Sequence, residues 1–347
     1  MYIKKILLAI VIVGLVISAY FANFVYKAML KPNTAFNGET AYIFVSKKDT
    51  YKDVKAQLEP LLKDLESFND LAEQKKYTTH IRSGRFAITK GMNNNAIINS
   101  IRSKNLPVKI SFNNQERLEN LAGRISEQLD LDSLDILNAI SDTKFLNKNN
   151  FTKETALGMY VPDSYEFFWN SSAETFRNKM LKSYNNFWNA SRTAKAKALN
   201  LTKNDVITIA SIVHKETAKV DERPTVAGVY LNRIRLGMPL QADPTVIYAK
   251  KLTSNNFNQV IKRVLYKDLE IDSKYNTYKY RSIPPGPITM PDISAIDAVL
   301  NAEKHQYLYF VANVKNFGYH KFAKTLRQHN NNKNEYVRWI NSVGINR

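Results

Sequence analysis

The sequence predicts an α+β protein with a single N-terminal transmembrane helix, a small α/β region and a mixed α+β domain towards the C-terminus. Residues 6–26 form an uncharged apolar run, and residues 41–112 alternate between short strand-like and helix-like patterns. Residues 202–216 repeat apolar side chains at helical spacing. The chain has 347 residues, of which 44% are hydrophobic, and this length predicts two or three domains with a substantial core.

The first element, ILLAIVIVGLVISAYFANFVY over residues 6–26, contains no charged side chain. About twenty such residues can cross the hydrocarbon core of a bilayer as a helix. We therefore expect a transmembrane helix after a cytoplasmic tail of residues 1–5. A cleaved signal peptide is the alternative, but the run is long for one and no clear Ala-x-Ala site follows it. Lysines flank the run on both sides, so the charge rule only weakly favours a cytoplasmic N-terminus.

A linker over residues 27–39 is predicted to lead into a small α/β region over residues 40–113. A helical connecting region over residues 114–200 and a catalytic region over residues 201–347 follow. The predicted elements of the middle regions are a strand at 41–45, a helix containing Val54, Leu58 and Leu61, a strand at 84–88, a helix at 94–102, a strand at 108–112 and helices at 118–129 and 133–139.

The candidate catalytic group lies on the helix that begins after Thr202. Thr202 and Asp205 have the spacing of a capping box, and apolar residues then recur at helical spacing as far as Val213. Glu216 continues this row three residues later, which places it on the packed face. A carboxyl group held against apolar neighbours has a raised pKa and can act as a general acid near neutral pH.

Glu216 also has a plain structural interpretation, as a solvated residue near a helix end or as a partner of Lys215 or Lys219. Two further helices are predicted to follow, one over residues 226–236 and one opened by Asp243 as its N-cap. We expect these three helix starts to bring five polar residues together: Glu216, Arg223, Asn232, Gln241 and Asp243.

Composition narrows the classes of function. The net charge of +19 predicts attraction to a polyanion, such as nucleic acid, an anionic membrane surface or a wall polymer that bears carboxylates. With no cysteine, the chain has no disulfide, thiolate nucleophile or Cys-ligated zinc. The five histidines form no HxxxH or HExxH pattern, so neither a metal nor another cofactor is expected. No recognised nucleic-acid-binding motif is present, which disfavours a nucleic-acid partner.

Several motifs in the second half of the chain resemble one known family. They are ASIVHKET (210–217), VAGVYLNRIRLGMPLQADPTVIYA (226–249), YNTY (275–278), IPPGPI (283–288) and a histidine near the C-terminus. Together they are similar to the endolytic murein transglycosylase family (MltG, YceG-like). The segment GMYVPDSY (158–165) also resembles the G-x-x-x-P-D-[ST]-Y motif of that family.

The resemblance implies a lyase of the bacterial cytoplasmic membrane with its catalytic part on the periplasmic side. Such an enzyme cleaves the β-1,4 bond between N-acetylmuramyl (MurNAc) and N-acetylglucosaminyl (GlcNAc) residues of peptidoglycan and leaves a 1,6-anhydro end. It would terminate nascent glycan strands, with peptidoglycan synthases as possible partners. Glu216 would be the catalytic acid; many relatives have a second acid where this chain has His214. Residues 40–113 would be a LysM-like glycan-positioning region, although a plain spacer fits the pattern equally well.

The mechanism expected from chemistry needs one carboxyl group. Glu216 would protonate the leaving oxygen and then accept the proton of the MurNAc C6 hydroxyl, which attacks its own C1. The residues expected to orient the N-acetyl and hydroxyl groups are Gln241, Asp243, Thr245, Asn276 and Tyr278. The resemblance adds His329 as a further substrate-binding candidate, although a lone histidine is more often structural.

Two other functions fit the same residues. A hydrolytic muramidase would use Asp243 or Glu222 as a second carboxylate. A non-enzymatic scaffold would hold the wall polymer, and Glu216 would then be incidental.

The remaining segments are predicted to shape the groove. Residues 250–274 are polar and basic and indicate a surface insertion, and residues 284–291 are proline-rich and indicate a rigid wall. Residues 307–312 and 319–323 predict a hairpin, followed by an amphipathic helix at the C-terminal end. The aromatic run over residues 165–169 favours a core over a sugar-stacking surface.

Overall fold

The computed structural model describes residues 2–343, so Met1 and residues 344–347 of the predicted regions 1–5 and 201–347 lie outside the described residues. The chain forms two compact units. The first contains the chain up to Ile110 together with two short segments, Ser126–Leu131 and Tyr165–Ser172. The second contains Ser111–Ile125, Asp132–Ser164 and the chain from Ala173 onwards. Both units mix helices with short strands, as the sequence predicts.

The N-terminal helix α1, Tyr2–Val25, continues through a π-helical turn at Tyr26–Leu30. No side chain of α1 is buried, and the 29-residue helix has a mean hydropathy of 2.5 over its most apolar window. These properties are compatible with one membrane-spanning anchor, and a signal sequence shares them. The π-helical turn buries Ala28 in the core of the first unit.

The first unit is built on two antiparallel strands, β1 (Thr40–Val45) and β2 (Gly84–Thr89). Ile43 is paired with Phe86, and alternate side chains of both strands point into the core. The other elements of the first half of the chain are α2 (Tyr51–Leu58), a 3-10 turn (Glu59–Leu61), α3 (Leu65–Gln74), α4 (Asn94–Ser103) and β3 (Pro107–Phe112). These bounds confirm the predicted strands and helices of this region to within one or two residues, whereas α3 is not among the predicted elements.

The remaining elements are predominantly helical. They are α5 (Leu118–Ser126), α6 (Ser133–Ile140), α7 (Thr143–Lys148), β4 (Asp163–Phe168), α8 (Ala173–Phe187), α9 (Ala190–Ala198), α10 (Lys203–Glu216), α11 (Arg223–Arg235), α12 (Asp243–Thr253), α13 (Ile293–Leu300), β5 (Tyr309–Ala312), β6 (His320–Ala323) and α14 (Leu326–Ser342). In the described chain the strands pair as β1 with β2, β3 with β4 and β5 with β6. The predicted hairpin near the C-terminus is confirmed, because β5 and β6 are antiparallel.

Helix α10 is the central helix of the second unit. The predicted capping box is present, with Thr202 accepting a hydrogen bond from the N–H of Asp205. Every residue from Val206 to Val213 is buried, and α10 packs against α11, α12 and α13. The fully buried part of α10 ends at Val213, and Glu216, three residues further on, is half-buried at the end of the helix.

One predicted cap is wrong. Asp243 is the first residue of α12, and the N-cap position is occupied by Ala242. Pro244 follows Asp243, and a proline in the first turn needs no hydrogen-bond acceptor for a backbone N–H. The Asp243 carboxylate is therefore free for a different role.

The proline-rich loop is pinned to the core at two points. The N–H of Ile288 donates to Ser211 Oγ on α10 at 3.1 Å. Gly286 passes so close to Glu154 that a Cβ atom on Gly286 would lie 2.1 Å from the Glu154 carbonyl oxygen. Only glycine fits this approach, because a backbone carbonyl in this position cannot rotate away as a side chain can.

We expect Gly286→Ala to lower the free energy of unfolding by about 1–3 kcal/mol, the usual cost of forcing an extra carbon into a packed site. Thermal unfolding of the full chain measures this. Gly38→Ala is the matched control, because nothing lies within 4 Å of a Cβ at Gly38. Equal melting temperatures for the two variants would contradict the close approach.

Candidate active site

Glu216 is hydrogen-bonded to a tyrosine of the neighbouring helix. The phenolic O–H of Tyr230 on α11 donates to Glu216 Oε1 at 2.8 Å, and Tyr230 is only 1% exposed. Burial raises the pKa of Glu216 from its ordinary value of 4.5 to about 7; the charge of Asp243 adds to the rise, while the Tyr230 hydrogen bond and the charge of Arg233 oppose it. A carboxyl group in this state holds or releases a proton close to neutral pH.

The lysines that could have paired with Glu216 are occupied elsewhere. Lys215 forms an ion pair with Glu116 at 3.1 Å. The Lys219 ammonium lies 5.0 Å from the centre of the Tyr319 ring. Thus the interpretation of Glu216 as one half of a surface salt bridge does not describe this site.

Glu216 forms part of the wall of a cavity of about 460 Å³, a volume typical of small-molecule sites. The cavity lies within the second unit. Its polar lining residues are Glu216, Arg233, Gln241, Asp243, Tyr278, His320, His329, Asn330 and Lys333, and its apolar and aromatic ones are Leu240, Tyr309, Phe310, Val311, Ala312 and Leu326. One carboxyl group with a raised pKa, surrounded by aromatic, amide and cationic groups, can protonate a leaving oxygen on a bound polar ligand.

Four of the predicted substrate-binding residues lie at this cavity with Glu216: Gln241, Asp243, Tyr278 and His329. The Tyr278 O–H donates to Asp243 Oδ1 at 2.6 Å, so these two side chains form one unit of the wall. Gln241 has φ of +49°, a left-handed backbone conformation that is uncommon for residues other than glycine. Its backbone N–H is held by the carbonyl oxygen of Thr277 at 3.1 Å, which supports this conformation.

The other two predicted residues, Thr245 and Asn276, do not line the cavity; both are fully buried. The Thr245 hydroxyl donates to the carbonyl oxygen of Ala242 at 2.6 Å and lies 2.8 Å from the Thr277 hydroxyl. The Asn276 amide donates to two backbone carbonyl groups and its oxygen accepts from the N–H of Tyr278 at 3.1 Å. These contacts hold the segments that carry Gln241, Asp243 and Tyr278, so Thr245 and Asn276 are placed to position other residues.

Arg223 and Asn232, which were expected near Glu216, point to other partners. Arg223 forms an ion pair with Asp292 at 3.0 Å, and His214 lies 3.2 Å from the same carboxylate. The Asn232 amide donates to the carbonyl oxygens of His305 and Tyr307 at 2.9 and 3.1 Å. Neither Arg223 nor Asn232 lines the cavity.

His329 lies on α14, and its ring stacks on the Tyr309 ring with 5.2 Å between ring centres. Burial lowers the pKa of His329, and the nearby charges of Arg233 and Lys333 lower it further. His329 is therefore neutral at pH 7. Its Nδ1 is buried without a hydrogen-bond partner among residues 2–343.

Arg233 is a site residue that sequence reasoning missed. It is 7% exposed, and its guanidinium donates to the carbonyl oxygens of Leu308, Pro239 and Leu240 at 2.7, 3.1 and 2.9 Å. It also donates to Gln241 Oε1 at 3.3 Å. Arg233 thus ties the start of β5 to the loop that carries Gln241, and its charge faces Glu216.

Tyr230 was missed with Arg233, and helical spacing would have found both. They are three residues apart on α11, inside the motif VAGVYLNRIR, and therefore share one face of the helix. The hairpin contributes five more missed residues to the cavity: Tyr309, Phe310, Val311, Ala312 and His320. Their sequence shows a hairpin but nothing that indicates where it packs.

Of the two candidates for a second carboxylate, Asp243 lies on the cavity wall and Glu222 does not. Glu222 is 6% exposed and accepts hydrogen bonds from the backbone N–H and from Nδ1 of His320 at 2.6 and 2.9 Å. It does not line the cavity and serves to hold His320 in place. Among residues 2–343 no three His, Asp or Glu side chains are grouped as metal ligands would be.

Comparison with known proteins places this geometry in context. A family model described as YceG-like family matches residues 43–335. An endolytic murein transglycosylase of Bacillus subtilis is 31% identical over 279 residues, covering 76% of this chain and 75% of that protein. An endolytic murein transglycosylase of Streptococcus pneumoniae is 35% identical over 181 residues, covering 52% of this chain and 32% of that protein. A YceG-like protein of Listeria monocytogenes, known from a 2.6 Å crystal structure, has a TM-score of 0.57 and 28% identity, over 84% of this chain and 98% of that one.

Proposed function

Because this chain belongs to the YceG-like family, we propose that it is a lytic transglycosylase that acts on the glycan strands of peptidoglycan, with Glu216 as its catalytic group. The observation that carries the proposal is the state of Glu216. Its carboxyl group lies on the wall of a cavity, and burial places its pKa at about 7. The same side chain can therefore give a proton and take one back.

The proposed reaction breaks the bond between MurNAc C1 and the O4 oxygen of the next GlcNAc residue. Glu216 donates its proton to O4, and the C6 hydroxyl of the same MurNAc attacks C1 to close a 1,6-anhydro ring. The ionised Glu216 then accepts the proton of that hydroxyl, so no water is consumed and the enzyme returns to its starting state. An intramolecular nucleophile needs no activated water, because its effective concentration is already high.

Each of the residues near Glu216 can be given a role in this reaction. Tyr278 and Asp243, joined by their hydrogen bond, and the amide of Gln241 lie on the same wall and supply donors and acceptors for sugar hydroxyl and N-acetyl groups. Neutral His329 supplies a further hydrogen-bonding group, since its Nδ1 is unpaired in the described chain. Thr245 and Asn276 act indirectly, because they hold the loops that carry these groups.

Asp243 keeps one rival reaction open. A hydrolytic muramidase would use Asp243 to activate water or to attack C1, and the product would have a reducing end. Digestion of purified sacculi with the full chain, followed by mass spectrometry of the released fragments, tests the proposal. Anhydro ends, which are lighter by one water than reducing ends, support the transglycosylase, and reducing ends support the muramidase. Binding to sacculi without release of fragments supports the scaffold.

We also propose that the enzyme works at the cytoplasmic membrane. The exposed apolar helix α1 supports a single-pass anchor in the cytoplasmic membrane, with the catalytic unit on the outer side, where peptidoglycan lies. Cleavage within strands close to the membrane would terminate nascent glycan chains, beside the synthases that make them. The small strand pair β1 and β2, with helices packed over it, supports a LysM-like glycan-positioning role for residues 40–113.

The pH dependence of cleavage follows from the pKa of Glu216. The reaction begins from the protonated acid, which is present below a pH of about 7 and is lost above it. We expect kcat/KM to fall as pH rises through about 7. In Tyr230→Phe the hydrogen bond that lowers this pKa is gone, so the fall should move upward by about one pH unit.

A pH profile of fragment release from sacculi measures this shift. Tyr319→Phe is the matched control, because its O–H bonds Asp221 at 3.0 Å and not Glu216. A profile of Tyr230→Phe that falls at the native pH would show that this hydrogen bond does not set the pKa of the catalytic acid.

A further inference from the structure

A second cavity of about 470 Å³ adjoins the catalytic one in the same unit. Asp243 and Tyr278 line both cavities, so the two spaces meet at this hydrogen-bonded pair. A ligand held against Glu216 that reaches past Asp243 and Tyr278 would enter the second cavity. None of the motifs that resemble the family contains the basic segment on its wall, residues 262–266.

The second cavity has the charge and surface of a peptide site. Lys262 and Arg263 lie on its wall, and in the described chain neither side chain makes an ion pair or a hydrogen bond. Among the described residues that line it, the only acidic one is Asp243, which already accepts a hydrogen bond from Tyr278. The rest of the wall is apolar or aromatic, including Ile247, Leu269 and Tyr266. Unpaired cations beside an apolar surface suit a ligand that has both carboxylates and small aliphatic groups.

The segment that carries these cations is held in place. Asp268 is only 4% exposed, and it accepts a hydrogen bond from Lys250 Nζ at 2.9 Å and from the N–H of Leu265 at 3.0 Å. These bonds fix the chain next to Lys262 and Arg263. The two cations are therefore presented from an anchored segment, which reduces the entropy lost when they bind an anion.

Resting on the function proposed above, we propose that the second cavity binds the stem peptide of the MurNAc residue that is cleaved, with Lys262 and Arg263 paired to its carboxylates. The sugar backbone of peptidoglycan is uncharged where each lactyl group is in amide linkage, so the carboxylates must come from the peptide. The peptide leaves the MurNAc ring from C3, close to the C1 at which the bond breaks. A cavity that joins the acid's own cavity is where that peptide would emerge. The substrate class is thus glycan that carries free stem-peptide carboxylates.

The test compares two substrates that differ only in peptide charge: uncross-linked strands, and the same strands after their carboxyl groups have been coupled to ammonia as amides. We expect the full chain with Lys262→Ala and Arg263→Ala to lose about tenfold in kcat/KM on the native strands, mainly through KM, as two exposed ion pairs would predict. On the amidated strands the variant and the native protein should be equal. Equal losses on both substrates, or no loss on native strands, would overturn the proposal.

The matched control removes the same charge from the same segment. Lys267 and Lys274 are exposed and line neither cavity, so their double alanine variant should behave as the native protein on both substrates. Binding is measured separately from cleavage by titrating a fluorescent MurNAc peptide against the full chain with Glu216→Gln. Loss of this binding with Lys262→Ala and Arg263→Ala supports the peptide site even if cleavage is absent. Unchanged binding would contradict the peptide site. Absence of cleavage by the native protein would instead count against the proposed function.

Discussion

Glu216→Gln is expected to abolish fragment release from sacculi, with a loss of about a thousandfold or more. General acid and base steps each contribute about 10² to 10⁴ in rate, and Glu216 is assigned to both. Glutamine keeps the shape of the side chain and can still accept from the Tyr230 O–H, but it has no carboxyl proton to give. Mass spectrometry of soluble fragments measures the loss.

The same variant should remain folded, and this can be checked by its stability. The pKa of Glu216 is raised from 4.5 to about 7 in the folded state, so its contribution to stability is present below 4.5 and is lost as pH rises through 7. Glutamine has no charged form. We therefore expect Glu216→Gln to unfold at a higher temperature than the native protein at pH 8 and at a similar temperature at pH 4.

Glu116→Gln is the control for the loss of one carboxylate. Glu116 pairs with Lys215 and Lys251 at 3.1 and 2.8 Å and does not line the catalytic cavity. Its activity should stay near that of the native protein. A Glu216→Gln protein that still cleaves at a near-native rate would remove Glu216 from the mechanism, and the search would move to Asp243.

The position of Glu216 could be predicted because it depends on local sequence. The capping box at Thr202 fixes where α10 begins, and the spacing from Val213 fixes which face Glu216 occupies. Apart from α3, the strands and helices of the first unit were predictable for the same reason, since their apolar periods and turn residues are local. The cap assigned to Asp243 failed because α12 begins one residue earlier than predicted, with Asp243 as its first residue and Ala242 at an N-cap that has no side-chain hydrogen bond.

What the sequence could not supply is the partner of each side chain. Thr245 and Asn276 lie in the same motifs as Asp243 and Tyr278, and nothing local separates a residue that faces a cavity from one that bonds the backbone behind it. The contact of Glu216 with Tyr230 depends on how α10 packs against α11, which is a long-range property. The place of Tyr309 and His329 depends on where the hairpin and α14 meet.

Arg233→Ala is expected to have the second large effect, which is a loss of both stability and activity. The change removes the donor to three backbone carbonyl groups: that of Leu240, which is buried, and those of Leu308 and Pro239, which are partly buried. Buried unsatisfied polar groups cost about 1–3 kcal/mol each before relaxation, so we expect a loss of about 3 kcal/mol in the free energy of unfolding. Activity should also fall at least about tenfold, because the loop that carries Gln241 loses its tie. Thermal unfolding and fragment release measure the two effects.

Arg233→Lys separates the charge of Arg233 from its geometry. Lysine keeps a positive charge near Glu216, so the pH at which activity falls should stay near the native value, whereas in Arg233→Ala it should rise because a charge that lowers the pKa of Glu216 is gone. The single ammonium group of lysine cannot donate to all three carbonyl groups as the branched guanidinium does. Most of the loss in stability should therefore remain in Arg233→Lys. Arg235→Ala is the control, since the Arg235 guanidinium lies at the surface and, among residues 2–343, donates only to Asn232. If Arg233→Ala were as stable and active as Arg235→Ala, the tie between β5 and the Gln241 loop would have no part in holding the cavity together.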